Sequence, residues 1–231
     1  MNLKNTLYRS FSDKPVIVMI HGYSERRWVP IQRAIDFFRL RGYIVLVPVL
    51  YDQSKPEDSI ALEWIEQARK SVEEALSIKD DVVVVGFSMG GVIATQIAAE
   101  LPVSTLILLA PAFEYVTFKA VKNKITSYVI KKQEPLTHSG EYVPLPEHFT
   151  ETFQEVVSMC KHSITQIICP LVLLHGTSDG TIPIRSSEYA YEHAKTENKK
   201  FFKLEHVGHN ILEDNEYYHD ALSIIESNIK K

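Results

Sequence analysis

Five short runs of apolar, mostly β-branched residues limit what this chain can fold into: Val16–Ile20, Ile44–Leu50, Val82–Val85, Thr105–Ala110 and Leu171–Leu174. None alternates apolar with polar residues, and turn-forming Gly, Pro or Asp bound them. A strand with one wet face alternates, whereas a continuous apolar run must be covered on both faces, as in a parallel sheet between helices. Helical stripes lie between the runs. Ala61, Trp64, Ile65, Ala68, Val72, Ala75 and Leu76 share one face, and further helices are expected over Val29–Leu40, from Gly90 to about Glu100, and through Tyr218–Ile229. The alternation predicts an α/β fold with a mostly parallel sheet of about six strands, Lys200–Glu205 supplying the last.

No repeat, low-complexity tract or linker divides the 231 residues, so a single domain over 1–231 is expected. One segment, 111–166, breaks the alternation: it has no buried-strand run but carries Phe113, Tyr115, Phe118, Tyr128, Tyr142, Phe149 and Phe153. An insertion of that length between sheet strands reads as a cap or lid. With 25 basic against 29 acidic residues the net charge is −4, which argues against nucleic acid as a partner. Two cysteines are too few for a disulfide framework, and no paired CxxC runs exist for a zinc ribbon. The first ten residues contain no apolar signal segment, and the apolar runs fall well short of the ~20 residues of a membrane helix. A cytoplasmic protein is the expectation.

Chemistry enters at Gly86-Phe87-Ser88-Met89-Gly90-Gly91, a G-x-S-x-G sequence between the run Val82–Val85 and a helical stretch. In such a strand-to-helix turn the flanking positions must be small, and the central hydroxyl is lifted clear of the sheet. The Met89 amide then lies at a helix N-terminus, suited to a developing oxyanion. A phosphate-binding turn fits less well, because Ser88 occupies a glycine position of G-x-G-x-x-G and no Gly-Lys-Ser/Thr follows.

A serine nucleophile needs a base, and the base an orienting carboxylate. Of nine histidines, His21 and His175 end strands as His-Gly, a structural or loop-shaping position, and five others fall in the insertion or on helices. His209 and His206 remain, in the loop before the last helix. His209 is preferred, because it follows Gly208 where a side chain can swing over the carboxyl edge of the sheet. A metal held by His206 and His209 lacks a third ligand at suitable spacing. Asp179, just past Leu171–Leu174, is either a turn aspartate or the acid; the chain order Ser88, Asp179, His209 favours the acid. A second oxyanion donor is expected from the loop after the first strand, at the amide of Tyr23, where Gly22 allows close approach.

His-Gly after the first strand, the G-x-S-x-G-G turn, His-Gly-x-x-Asp-x-x-Ile-Pro and Gly-His before a terminal helix occur in order. Together they resemble the α/β-hydrolase superfamily, and within it the short-cap bacterial carboxylesterases and monoacylglycerol lipases. The resemblance implies Ser88 as nucleophile, His209 as base, Asp179 as its partner, Tyr23 and Met89 as oxyanion amides, and neither metal nor organic cofactor. That family's sheet commonly begins with two antiparallel strands, whereas at most one short strand fits before Val16.

The aromatics of the insertion are expected to line an apolar pocket, with Phe113, Tyr115, Phe118 and Ile182 as candidate substrate contacts. This suits short- to medium-chain or aromatic acyl esters. The same machinery also serves amides, lactones, peptides or carbon–carbon bonds, and a non-catalytic ligand receptor is the alternative from another class. Residues 115–133 carry five lysines and no acid beside apolar positions at helical spacing. A cap helix with its lysines in water is expected there; contact with an anionic membrane surface is the less favoured alternative.

Overall fold

The computed structural model describes residues 13–22, 29–52, 55, 57–114 and 148–229. Its core is a six-stranded sheet: β1 Val16–Ile20, β2 Ile44–Leu46, β3 Val82–Phe87, β4 Thr105–Leu109, β5 Leu171–Gly176 and β6 Lys199–Leu204. The order across the sheet is β2-β1-β3-β4-β5-β6 and every neighbouring pair is parallel. Alternate residues of one strand serve opposite cores. Val16, Val18 and Ile20 face one apolar cluster and Ile17 and Met19 the other, with Val82 and Val84 opposed to Val83 and Val85. The continuous runs are apolar for this reason, each such residue contributing roughly 1.5–3 kcal/mol on full burial.

Helices cover both faces. On one side lie α1 (Gln32–Leu40) and α6 (Tyr218–Ile229); on the other lie α2 (Ala61–Ile78), α3 (Met89–Glu100), α4 (Phe149–Cys160) and the buried face of α5 (Arg185–His193). The anticipated helical stripe of α2 is the one that is buried: Ala61, Trp64, Ile65, Ala68, Val72 and Ala75. Among the described residues no helix is long and apolar enough to cross a membrane.

Several strand boundaries differ from the sequence reading by a residue or more, and two of them bear on the site. Strand β2 stops at Leu46, although the apolar run continues to Leu50. Pro48 has no amide to give the ladder, and the Leu50 amide turns away to donate to His21 Nε2 at 3.3 Å. Strand β3 instead runs through Gly86 and Phe87, so the ladder with β4 reaches Phe87↔Leu109 and carries the chain to the serine without a break.

Of segment 111–166, the described parts are 111–114 and 148–166. Helix α4 and the 3-10 turn Lys161–Gln166 pack on the body of the fold, with Phe149, Phe153, Val156, Cys160 and Ile164 in the main core cluster. Residues 115–147 lie outside the described residues, as do 1–12 before the first strand.

The topology positions a site. After β1 the chain moves to one side to form β2, then crosses back to place β3 on the other side of β1. Loops leaving β1 and β3 therefore diverge, and the crevice between them lies at the carboxyl ends of the strands, where open α/β sheets bind ligands.

Candidate active site

The turn after β3 is built from close approach. A Cβ on Gly86 would stand 2.5 Å from the Gly90 carbonyl oxygen and 2.7 Å from Ala94 Cβ, and one on Gly90 would strike the Ile20 and His21 carbonyls. Glycine at 86 and 90 lets α3 start directly on the sheet. Ser88 takes the strain, with φ 54° and ψ −118°, a conformation that costs a non-glycine residue of order 1–3 kcal/mol. Its backbone is over-determined: its amide donates to Leu109 O at 2.9 Å, and its carbonyl accepts from the Gly91 and Ala112 amides at 3.0 and 3.1 Å. The side chain thus sits at the head of α3, 5 % exposed.

His209 comes to it from the loop between β6 and α6. Its Nε2 accepts from the Ser88 hydroxyl at 3.2 Å, and its Nδ1–H donates to Asp179 Oδ2 at 2.7 Å. The carboxylate beside Nδ1 sets this tautomer and leaves the Nε2 lone pair for the serine. Phe87 packs against the imidazole, ring centroids 5.0 Å apart. His206, the alternative base, is exposed, and its backbone amide donates to Thr177 Oγ1 at 2.9 Å.

Asp179 lies in the turn after β5 with its side chain wholly shielded from solvent. Its Oδ1 accepts from the Thr181 and Ile182 amides at 2.8 and 2.9 Å. Burial alone would push this carboxyl up. Hydrogen bonds from His175 and His209, the charge of His209 and the Ile182 amide more than offset it and hold Asp179 below the usual carboxylate range. The sequence alone gives His175 a structural or loop-shaping position; in the fold its Nε2 stands 3.2 Å from Asp179 Oδ2.

Opposite Ser88, the Gly22 carbonyl is gripped from two sides. His21 Nδ1–H donates to it at 2.9 Å and the Tyr51 hydroxyl reaches it at 3.4 Å. Tyr51 also packs edge-on against Phe149, at the start of α4. Tyr23, Tyr115 and Phe118 lie outside the described residues. Phe113 is buried (1 %) in the main core near Tyr189, and Ile182 is buried (4 %) beside the Asp179 turn. Where the chain leaves β4, it is tied down by Ser186, whose hydroxyl donates to Pro111 O at 2.5 Å and accepts from the Glu114 amide at 2.9 Å. Among the described residues no three His, Cys, Asp or Glu side chains gather in a way that could hold a metal ion.

A family model described as "Alpha/beta hydrolase family" matches residues 17–221. The chain belongs to the alpha/beta hydrolase family. Solved structures share this hydrolase's fold over nearly its whole length. One is described with LipS and LipT, two metagenome-derived lipolytic enzymes: 17 % identity, 94 % of this chain and 93 % of that chain covered, TM-score 0.76. Another is the monoacylglycerol lipase of Paleococcus ferrophilus, 17 % identical over 94 % of this chain and 95 % of that one, TM-score 0.66. A third is alpha/beta hydrolase domain-containing protein 10 from mouse, 20 % identical over 93 % and 89 %, TM-score 0.67. Among curated proteins none matches the sequence. At these identities the likeness speaks to the fold.

Proposed function

We propose that this hydrolase cleaves carboxylic esters through an acyl-enzyme, with Ser88 as nucleophile, His209 as general base and acid, and Asp179 as the carboxylate that orients His209. The observation that carries this is the unbroken row from Ser88 Oγ through His209 to Asp179, at 3.2 and 2.7 Å. As Ser88 Oγ attacks the ester carbonyl carbon, its proton passes to His209 Nε2. The imidazolium is stabilised by Asp179 and gives that proton to the departing alcohol oxygen. Water repeats the sequence on the acyl-enzyme and releases the acid.

The tetrahedral oxyanion would be met by the Met89 amide, at the first position of α3, where the helix's own ladder supplies no acceptor. The second donor in this reading is the Tyr23 amide. The grip of His21 and Tyr51 on the Gly22 carbonyl supports that role, because the carbonyl and the amide belong to one planar peptide. Losing one such donor typically costs about 3–4 kcal/mol of transition-state stabilisation. Phe113, Tyr115, Phe118 and Ile182 are the proposed walls of the acyl pocket, and short- to medium-chain or aromatic acyl groups the proposed substrates. The lipolytic neighbours are consistent with ester chemistry.

A fluorophosphonate probe on the purified protein and its Ser88→Ala variant, followed by a series of nitrophenyl esters, tests the reading. Expected are labelling that disappears in Ser88→Ala, turnover that peaks at one acyl length, and melting temperatures within a few degrees of each other. Labelling without ester turnover would replace the ester by an amide, lactone or carbon–carbon bond. Labelling of Ser88→Ala as fast as the wild type would end the nucleophile assignment.

A further inference from the structure

The hydrogen bonds of Asp179 do not end at His209. On the far side of the same oxygen lies His175, in β5 and fully buried, its Nε2 3.2 Å from Asp179 Oδ2 and 3.0 Å from the Ile182 carbonyl. Both neighbours are acceptors, so a lone pair at Nε2 would face two others. Nε2 therefore carries the proton and donates. The remaining lone pair, at Nδ1, faces the hydroxyl of Ser187 at 2.7 Å, and Ser187 is itself fully buried in the first turn of α5. A hydroxyl donates there without competition from water. The result is one continuous row: Ser88, His209, Asp179, His175, Ser187, with the carboxylate at its centre and an imidazole and a serine on either side. Ser88 and His209 keep some exposure, whereas the side chains of Asp179, His175 and Ser187 are wholly buried.

We propose that His175, held in its Nε2–H form by Ser187, is a positioning residue for Asp179 and sets how strongly that carboxylate pulls on the proton of His209. The proposal rests on the function given above in taking His209 as the base. Together with the Thr181 and Ile182 amides on Oδ1, the His175 N–H on Oδ2 restrains the carboxylate from rotating away from His209. It also draws on the charge of the oxygen that His209 uses. A carboxylate oxygen shared between two donors is a weaker proton acceptor than one serving a single donor. Removing that donor would leave an oxygen that pulls harder on the proton of His209.

No other charged side chain competes for this row among the described residues. On α5, Arg185 pairs with Glu114 at 3.4 Å and Glu188 with Lys203 at 2.7 Å. In the turns beside His209, Glu205 accepts from Thr177 Oγ1 at 3.2 Å and Glu213 from Asn210 at 2.7 Å. Asp179 is left in contact with His209 on one side and His175 on the other.

Three variants test this. His175→Phe keeps a ring of similar volume and removes the donor; His175→Gln returns an N–H near the place of Nε2; Ser187→Ala removes only the hydroxyl that fixes the tautomer. In His175→Phe the acidic limb of the kcat/KM profile should move to higher pH by roughly half a unit or more, a fraction of what a full neighbouring charge does. At neutral pH kcat should fall on the order of tenfold, the scale of losing one hydrogen bond to a charged group, with KM little changed. His175→Gln should recover most of both effects, and Ser187→Ala should shift the limb in the same direction by less. A buried histidine that only filled space would leave the limb where it is.

The titration of the His209 ring protons by NMR reads the same coupling without turnover. A midpoint moved up in His175→Phe supports the proposal even if the protein hydrolyses no ester. A failure of the esterase reading would show separately, as wild-type protein that neither reacts with the fluorophosphonate nor turns over an ester. An unmoved midpoint in folded His175→Phe, or His175→Gln displaced as far as His175→Phe, overturns it. Should His175→Phe not fold, the Ser187→Ala midpoint decides: moved up supports, unmoved refutes.

Discussion

Replacing Gly86 with alanine would place a methyl group where α3 already sits. The new Cβ would lie 2.5 Å from Gly90 O, 2.6 Å from Gly91 Cα and 2.7 Å from Ala94 Cβ. All three atoms belong to the first two turns of α3, and none is the end of a flexible side chain. Ordinary contact begins near 3.4 Å, so the head of the helix must retreat from β3 by up to about 0.9 Å, the deficit against Gly90 O. Overpacking of this kind usually costs 1–3 kcal/mol, and three simultaneous stiff contacts put the expected loss at about 3 kcal/mol. For 231 residues the unfolding entropy is about 0.5 kcal/mol/K, so the melting temperature should fall by about 6 °C. The site suffers separately. Ser88 heads α3, and the same retreat would stretch its 3.2 Å bond to His209 to about 4 Å, beyond hydrogen-bond reach. The assay is thermal melting together with the rate of fluorophosphonate labelling. Gly180→Ala is the stability control, since nothing lies within 4 Å of a Cβ there, and it should melt within about 2 °C of the wild type. A Gly86→Ala protein that melts like the control, or that labels at the wild-type rate, would refute the claim that close approach dictates glycine at this position.

Asp179 links stability to pH. Its carboxyl is held below the ordinary range when folded, so its contribution is fully present above the unfolded carboxylate value of about 3.9 and is lost as pH falls through the folded value. Urea unfolding of wild type and Asp179→Asn should show a stability gap that is constant above about pH 5 and shrinks below about pH 4; a gap independent of pH would contradict the assignment. The two cysteines should be inert in the native protein. Burial pushes the Cys160 thiol up to about 12 and the Cys169 thiol up to about 11, leaving almost no thiolate near neutral pH. Iodoacetamide should modify both after denaturation and neither before; stoichiometric labelling of the folded chain would show otherwise.

Much of the fold is legible in the sequence because its cause is local. A strand covered on both faces must be apolar at every position, and the runs at 16–20, 82–85, 105–110 and 171–174 each become a sheet strand. Helix α2 follows the spacing of its apolar residues for the same reason. The strand, glycines and serine of residues 82–91 likewise state their own turn, because the steric demand lies within ten residues. Where a run misled, a long-range bond had intervened: the Leu50 amide leaves the sheet for His21.

Ser88, Asp179 and His209 could be nominated from loop position and order, but their meeting is a property of the sheet. It depends on parallel registers that align the ends of β3, β5 and β6, and on the crossover that opens a crevice beside β1. His175 shows the limit most clearly. As one His-Gly among two it reads as a strand end, and nothing in its neighbours tells Asp179 from solvent as its partner. Its role arises because α5 delivers Ser187 to one nitrogen while the turn after β5 brings Asp179 and the Ile182 carbonyl to the other. Which nitrogen carries the proton follows from those partners, and they assemble only when the chain is folded. The strands, the helix faces and the serine turn can be read from the residues alone because their physics is steric and local; which polar groups share a hydrogen bond is settled only on folding, because it depends on distances set by the whole sheet.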